Sequence, residues 1–354
     1  GGQRAPGAGR ADGGDVGATG CCDADGRPRF DAPIQPGAYR WWYVDAISDD
    51  GRHALTVIAF VGSVFSPYYA HALRRNPAAD PLNHCALNVC LYSLDGQGPS
   101  RWTMTERGSR HVQREARRFV IGPSSLSWQD DELTLDLCER GMPLPQRVLG
   151  RLRVQVPALA RYAVALDAPG QHRWVPIAPV ARIEVDLAEP ALRWRGKAYL
   201  DSNEGDTPVT EAFNRWDWLR ATAPDGRTTV IYDTEPVQGA ARVVARQFAP
   251  DGSSLALPVP PRQALPSTRW WRIQRHVRAV TSAGGQGPAV ARTLEDTPFY
   301  ARSVLQLPVC DEHAGQTVAP EQPGFEVIHE SLDAGRLRSG LVQALLPFRM
   351  PRRG

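Results

Sequence analysis

The segment ALRWRGKAYLDSNEGD, residues 191–206, places a tyrosine and an aspartate two positions apart. Its first part alternates apolar and basic residues as a half-buried strand does, and this strand is predicted to end at Asp201. Because successive side chains of a strand point to opposite faces, Tyr199 and Asp201 share one face. Such a carboxylate either meets water at a turn or lies buried, where it retains a proton that it can donate as a general acid.

Two aromatic pairs elsewhere in the chain have the same spacing. His172 lies two residues before Trp174, and Trp216 lies two residues before Trp218. If these segments are strands, each pair shares a face. The rings then either fill a β-barrel core or line a pocket beside the acid.

A second Tyr-x-Asp pair occurs in WWYVD, where Tyr43 precedes Asp45. This pair is the chief rival position for an acid, although an N-terminal strand with a turn-side carboxylate accounts for it more simply. Asp217 and Asp233 also adjoin aromatic residues, and they rank below both Tyr-x-Asp pairs.

Other kinds of functional site lack their sequence signatures. His71, His84, Cys85 and Cys90 lie near one another without a CxxC or HExxH spacing, so no metal site is expected. The chain has no GxSxG, no P-loop motif and no GxGxxG between a strand and a helix, which argues against a conventional hydrolase or nucleotide enzyme. A net charge of +3 with scattered arginines argues against a nucleic-acid surface.

The remainder of the sequence predicts an all-β protein that positions these residues. From about residue 37, short segments rich in Val, Ile, Leu, Trp and Tyr recur between Gly, Pro, Asp or Ser. Residues 151–156 and 182–187 alternate strictly, and Asp-Gly pairs between apolar runs mark hairpin turns. With 31 prolines, this pattern indicates a β-sandwich or β-barrel architecture. One short C-terminal helix is predicted over residues 331–346, ended by Pro347.

Composition divides the chain into three regions. Residues 1–28 contain almost no large apolar side chain and are predicted to be disordered. Residues 29–165 and 166–354 are predicted to form an N-terminal and a C-terminal β domain, with the junction at 156–170. Six cysteines and no visible signal peptide favour a reduced, intracellular protein. The most apolar stretch, residues 54–73, is predicted to be strand plus loop rather than a membrane span.

Four blocks of the sequence, in order, resemble the carotenoid 1,2-hydratases, also called hydroxyneurosporene synthases. The blocks are GAYRWWYVDAISDDGRHALTVIAFVGSVFSPYYA, LRWRGKAYLDSNEGDTPVTEAFNRWDWLRA, TLEDTPFYARS and HESLDAGRLRSGLVQALLPFRMPR. The resemblance, which runs from about residue 28 to the end, implies two tandem lipocalin-like β domains. It also implies an enzyme that adds water to the terminal C1–C2 double bond of acyclic carotenoids such as neurosporene and lycopene, with neither an organic cofactor nor a metal.

The family pattern of a His-x-Trp and a Tyr-x-Asp pair matches His172 with Trp174 and Tyr199 with Asp201. On this interpretation Asp201 protonates C2 and leaves a tertiary cation at C1, while Tyr199 orients the carboxyl. Trp174 stabilises the cation through its ring face, with Trp216 or Trp218 as alternatives, and His172 activates water or forms a hydrogen bond. Four further aromatic residues are predicted to contact the apolar substrate: Tyr43, Trp216, Trp218 and Tyr232.

Two alternatives keep the lipocalin-like fold and change the function. One is a carrier of a hydrophobic ligand with no chemistry of its own, and the other is a polyene isomerase or cyclase. A buried acid favours an enzyme, because an apolar carrier gains nothing from one. The expected partners are an acyclic carotenoid, water and membrane lipid in peripheral contact, without nucleic acid. The expected location is the cytoplasmic side of the inner or photosynthetic membrane, without a transmembrane helix.

Overall fold

The computed structural model describes residues 19–281, 287–307 and 326–353. The first twelve strands of these residues are β1 (Tyr39–Ser48), β2 (His53–Val61), β3 (Cys85–Ser93), β4 (Arg101–Arg107), β5 (Val112–Glu115), β6 (Arg118–Ile121), β7 (Ser124–Gln129), β8 (Glu132–Arg140), β9 (Arg147–Gln155), β10 (Val164–Ala165), β11 (His172–Glu189) and β12 (Leu192–Gly205). The later strands are β13 (Phe213–Thr222), β14 (Thr228–Pro236), β15 (Arg242–Phe248), β16 (Ser254–Ala256), β17 (Arg262–Leu265), β18 (Arg275–Arg278), β19 (Ala289–Asp296), β20 (Tyr300–Gln306), β21 (Glu326–Asp333) and β22 (Arg352–Arg353). The α-helices are α1 (Pro67–Arg75), α2 (Val209–Ala212), α3 (Ala334–Leu337) and α4 (Gly340–Leu345).

Hydrogen bonding joins these strands into two large curled sheets and a separate hairpin of β17 and β18. The first sheet runs in the order β22-β4-β3-β2-β1-β12-β11-β9-β8-β7-β6-β5, and β10 pairs with β11. The second sheet runs in the order β16-β15-β14-β13-β21-β20-β19. The prediction of an all-β, lipocalin-like protein is confirmed.

The sheets do not divide at the predicted boundary between residues 165 and 166. Both β11 and β12 belong to the first sheet, where β12 pairs with β1 and β11 pairs with β9. The Pro-rich junction is no linker, because its β10 residues and Leu166 are buried. The chain passes from the first sheet to the second between Gly205 and Phe213, and we propose that the domain boundary lies there.

Strand β1 is buried on both faces and separates two apolar cores. Trp42 and Val44 pack into a core enclosed by the first sheet. Trp41 and Tyr43, which alternate with them, pack into a second core that also contains Trp218 of β13. This second core, rich in aromatic rings, therefore lies between the two sheets.

Part of the N-terminal segment predicted to be disordered is placed against the first sheet. Cys21 is fully buried, and its carbonyl accepts a hydrogen bond from Nε1 of Trp42 at 3.4 Å. The prediction is wrong for residues 19–28, because this short segment covers one end of the first core. Residues 1–18 lie outside the described residues, as does Cys310. The five cysteines of the described part carry free thiols.

The predicted C-terminal helix forms as two short helices, α3 and α4. Residues 331–333 instead continue β21, because they pair with β13 and β20. Asp333 caps α3 by accepting the backbone N–H of Arg336, and Ser339 caps α4 in the same way. Residues 54–73 form most of β2, a loop and most of α1, so the prediction of strand plus loop is correct for the first part and missed the helix. No helix in the described ranges is both long and apolar enough for a membrane span.

Candidate active site

Strand β12 continues past its predicted end at Asp201 and reaches Gly205. Asp, Ser, Asn and Gly have low strand propensity, but here the strand is paired on both sides. Asp201 lies opposite Tyr43 of β1 and opposite Pro176 of β11. The alternation of the strand therefore extends one step further, so that Tyr199, Asp201 and Asn203 share a face.

The Asp201 side chain is 2% exposed and is held by two neutral donors. Its Oδ2 accepts the hydroxyl of Tyr199 at 2.7 Å and Nε1 of Trp174 at 2.8 Å. Its Oδ1 makes no hydrogen bond with any residue that the structure describes. Because both donors bind Oδ2, the proton of the neutral acid belongs on Oδ1.

Burial raises the pKa of the Asp201 carboxyl well above its ordinary value. The hydrogen bonds from Tyr199 and Trp174 lower this pKa, since they favour the ionised form, while the charges of Glu330 and Asp45 raise it. Burial is the largest of these effects. The arrangement can therefore hold Asp201 as a protonated carboxylic acid.

Asp201 borders a cleft between the two sheets that encloses about 1010 Å³, its open mouth included. Aromatic rings from both sheets form much of its wall, and the four residues predicted to contact substrate are all among them. Six of these rings are those of Trp41, Tyr43, Trp216, Trp218, Tyr232 and Phe299.

Asn203 is a polar wall residue that the sequence prediction missed. Its side chain is buried, and its Oδ1 accepts the hydroxyl of Tyr232 at 3.2 Å. Its Nδ2 makes no hydrogen bond within the described residues. Asn203 thus brings an unpaired donor to the wall of the cleft that Asp201 also lines. Continuing the alternation of Tyr199 and Asp201 by one step would have identified it.

The cleft also contains an ion pair between a buried arginine and a half-buried glutamate, which the sequence did not indicate. Arg302 of β20 contacts Glu330 of β21, with 2.6 Å between Nη2 and Oε1. The hydroxyl of Tyr43 lies 2.8 Å from Glu330 Oε1 and accepts Nη1 of Arg302 at 3.0 Å. Burial raises the pKa of Glu330, and the charge of Arg302 opposes that effect. Both charged residues stand in the blocks that carry the family resemblance, which was their only signal.

The rival acid, Asp45, is buried but does not line the cleft. Its carboxylate forms an ion pair with Arg220, with 2.5 Å between Oδ1 and Nη2. This guanidinium distinguishes Asp45 from Asp201, whose two donors are neutral. Asp217 and Asp233 also lie away from the cleft, where they contact Ser331 and Arg278 respectively.

The structure does not bring His172 to the cleft. Its Nδ1 lies 2.9 Å from the hydroxyl of Tyr39, and its Nε2 lies 3.1 Å from Oγ1 of Thr207. Burial lowers its pKa to about 4, so the imidazole is neutral at pH 7. Glycine is required opposite it, because a Cβ at Gly205 would stand 2.6 Å from Nδ1 of His172. Both ring nitrogens are thus occupied by structural hydrogen bonds.

Trp174 lies behind the acid instead of on the cleft wall. It is fully buried, and its indole N–H points at Asp201. Its ring packs 5.2 Å from that of Tyr232, which does line the cleft. The geometry suits Trp174 to orienting the carboxyl, whereas the ring faces on the wall belong to other residues.

The described residues contain no group of three or more His, Cys, Asp and Glu side chains arranged to hold a metal ion. Apart from the tyrosines, eight of the described residues with amide, hydroxyl or charged side chains line the cleft: Asn88, Asp201, Asn203, Glu295, Thr297, Arg302, Glu330 and Arg349. The arrangement can donate a proton from Asp201 into an aromatic enclosure.

Comparison with known proteins gives consistent results. Residues 57–354 match the family model described as carotenoid hydratase CrtC. The chain is 53% identical over 329 residues to an acyclic carotenoid 1,2-hydratase of Rubrivivax gelatinosus. This alignment covers 93% of this chain and 77% of the relative. It is 50% identical over 354 residues to an acyclic carotenoid 1,2-hydratase of Thiocapsa roseopersicina. This alignment covers 100% of this chain and 82% of the relative.

Solved structures resemble this chain in fold alone. The crystal structure of CghA with Sch210972 has a TM-score of 0.54 at 14% identity, covering 91% of this chain and 97% of that chain. An AttH structure from Nitrosomonas europaea has a TM-score of 0.51 at 11% identity, and the match covers 85% of this chain and 93% of that chain.

Proposed function

The chain belongs to the carotenoid hydratase family and is a hydro-lyase, and we propose that it adds water across the terminal C1–C2 double bond of an acyclic carotenoid such as neurosporene or lycopene. One observation carries this proposal. The buried carboxyl of Asp201 has a raised pKa and an unpaired Oδ1 beside an aromatic cleft. Hydration of an unactivated alkene begins with protonation, and a positioned neutral acid supplies the proton.

In the first step, Oδ1 of Asp201 donates its proton to C2. The π electrons form the new C–H bond, which leaves a tertiary cation at C1 and a carboxylate at Asp201. The hydrogen bonds from Tyr199 and Trp174 to Oδ2 strengthen as the carboxylate gains charge. They therefore stabilise the transition state more than the ground state.

Aromatic ring faces stabilise the cation without capturing it. Trp216, Trp218 and Tyr232 line the cleft on the side of the second sheet, and their π faces attract positive charge. Of the three tryptophans that the sequence suggested for this role, Trp216 and Trp218 line the cleft, whereas the indole N–H of Trp174 binds the acid.

In the second step, water held by Nδ2 of Asn203 attacks C1. The amide N–H donates to the water oxygen, whose remaining lone pair forms the C–O bond. The water proton passes to Oδ1 of Asp201, which regenerates the acid, so that one H and one OH are added overall. The Tyr232 hydroxyl fixes the Asn203 amide by binding its Oδ1.

The substrate is a long hydrocarbon that dissolves in lipid, so the enzyme works where it meets a bilayer. We place it in peripheral contact with membrane lipid, on the cytoplasmic side of the inner or photosynthetic membrane. Every proton and oxygen in the proposed steps comes from Asp201 and water.

The test is to incubate the protein with lycopene in detergent and follow the product by mass. A gain of one or two waters is expected, and Asp201→Asn should abolish it while carotenoid binding persists. Asp131→Asn, at an exposed position, is the matched control and should leave turnover unchanged. Unchanged mass with altered retention would indicate an isomerase, and binding without any change would indicate a carrier; either result overturns the proposal.

A further inference from the structure

The C-terminal segment borders the cleft. Leu346, Arg349 and Met350 line the cleft, directly after helix α4. Val342, one turn before Leu346, is also buried against the aromatic core. One side of residues 340–350 therefore closes against the cleft wall.

The other side of this segment exposes large apolar side chains. Leu341 is 72% exposed, Phe348 is 70% exposed and Leu345 is 36% exposed. Single exposed apolar residues are common, but three within eight residues beside an apolar cleft form a patch.

A second apolar projection lies near the same part of the cleft. Trp270 and Trp271 are 76% and 40% exposed, and their backbone N–H groups donate to the carboxylate of Asp296 at 2.7 and 3.2 Å. Asp296 directly precedes Thr297, which lines the cleft. Arg336 of α3 donates to the carbonyl of Trp271 and so ties this loop to the C-terminal segment.

The segment is also strongly cationic. Residues 334–353 contain five arginines and neither Asp nor Glu. Arg336 and Arg352 pair with Asp333 and Glu106. The three others are exposed and form no ion pair with a described carboxylate: Arg338, Arg349 and Arg353. Exposed apolar and cationic side chains together are typical of a surface that binds anionic lipid.

We propose that this surface docks the protein on an anionic lipid bilayer, with Leu341, Leu345 and Phe348 among the acyl chains and the arginines at the headgroups. Interfacial tryptophans such as Trp270 suit the same boundary. The mouth of the cleft then opens toward the phase that dissolves the carotenoid. The identity of that substrate rests on the proposed function, whereas the docking surface stands on its own composition.

The first test measures co-sedimentation with vesicles. The protein should bind vesicles of phosphatidylcholine with phosphatidylglycerol more strongly than vesicles of phosphatidylcholine alone, and added salt should weaken that binding. Leu341→Glu and Phe348→Glu should each lower the affinity by at least about tenfold, the factor expected for withdrawing one large apolar side chain from lipid. Leu255→Glu is the matched control, because Leu255 is 53% exposed on the edge strand β16.

The second test measures turnover of lycopene dissolved in vesicles and in detergent micelles. Leu341→Glu and Phe348→Glu should lose turnover in vesicles and keep it in micelles, since neither residue lines the cleft. Unchanged vesicle binding in both variants overturns the docking surface even if hydration is observed. If both variants lose vesicle binding but the wild type hydrates no lycopene, the docking surface is supported and the proposed function is overturned. Failure of the wild type to bind either vesicle overturns the docking surface and leaves this patch to a protein partner.

Discussion

Tyr43 of β1 stands directly opposite Asp201 of β12, and in the same antiparallel register Asp45 stands opposite Tyr199. The two Tyr-x-Asp pairs thus oppose each other within one sheet. Their carboxylates nevertheless have different partners, since Asp45 contacts the guanidinium of Arg220 and Asp201 accepts only neutral donors. The same short motif therefore gives an ion pair in one strand and a candidate acid in the next.

This difference predicts effects of very different size on stability for the two Asp→Asn replacements. Asp45→Asn should lower the free energy of unfolding by about 3–5 kcal/mol, because it leaves a buried guanidinium without its carboxylate. Asp201→Asn should change it by less than about 1 kcal/mol, because a neutral amide replaces a neutral acid. Urea denaturation of both variants measures these values. Equal losses of unfolding free energy in the two variants would contradict the assignment of Asp201 as the uncharged carboxyl of the two.

Activity should depend on the protonation of Asp201. Only the neutral carboxyl donates a proton, so turnover should fall as the pH rises through its raised pKa. Tyr199→Phe removes a hydrogen bond that favours the carboxylate, which raises the pKa further and moves the alkaline limb to higher pH. The same loss should lower maximal turnover by about 10- to 100-fold. Trp174→Phe should act in the same direction.

The pH–rate profile of each variant checks this prediction. Tyr69→Phe is the matched control, because it removes an equally buried hydroxyl that donates to the carbonyl of Ala38 at 2.8 Å, away from Asp201. An alkaline limb that stays in place in Tyr199→Phe, or moves equally in Tyr69→Phe, would refute the proposed orientation of the acid.

Asn203→Leu should separate protonation from water capture. Without the amide N–H, the cation still forms but loses a proton instead of gaining water, so formation of hydrated product should fall about 100-fold. In D₂O the recovered substrate should still gain deuterium, which mass spectrometry detects. Asp201→Asn should give neither product nor deuterium. A variant of Asn203 that loses both signals, or retains full hydration, would exclude this role for the amide.

Buried His172 should make the fold sensitive to acid. Its pKa is about 4 in the folded protein and about 6.5 when unfolded, so between these values the unfolded state binds more protons. Stability is therefore complete above pH 6.5 and falls as the pH drops toward 4. His172→Gln should reduce this slope by up to about 1.4 kcal/mol per pH unit.

Urea unfolding across that pH window provides the measurement. His329, whose pKa burial also lowers to about 4, contributes in the same direction. Asp217, whose pKa is raised to about 6, contributes in the opposite direction, and both effects cancel when the variant is compared with the wild type. His111→Gln, at an exposed position, should leave the slope unchanged. An unaltered slope in His172→Gln would show that this histidine is not held neutral.

Local geometry was sufficient to predict part of the candidate site. Tyr199 and Asp201 share a face because strand alternation depends on nothing beyond the strand itself. The end of β12 was mispredicted, since Asp201 to Gly205 stay extended through hydrogen bonds to β1 and β11, which lie far away in sequence. Asn203 was missed for that reason.

Residue spacing in the sequence could not predict features that depend on long-range packing. The pairing of Arg302 with Glu330 joins neighbouring strands of the second sheet, and no local pattern reports it. The Pro-rich segment near residue 165 resembled a linker, yet the order of strands places β11 in the first sheet. The catalytic roles given to His172 and Trp174 stay predictions. The hydrogen-bond partners of both residues depend on the register of β11 against β12, which the sequence does not reveal.

The shared face of Asp201 and Asn203 has a stereochemical consequence. On the proposed mechanism, an acid and a water site that project from the same side of β12 reach the double bond from the same side, so the addition should be syn. In D₂O, with the two terminal methyl groups distinguished by isotope, C1 and C2 both become stereocentres of a single relative configuration. The relative configuration of C1 and C2 in the labelled alcohol would thereby report that Asp201 and Asn203 project from the same face of β12.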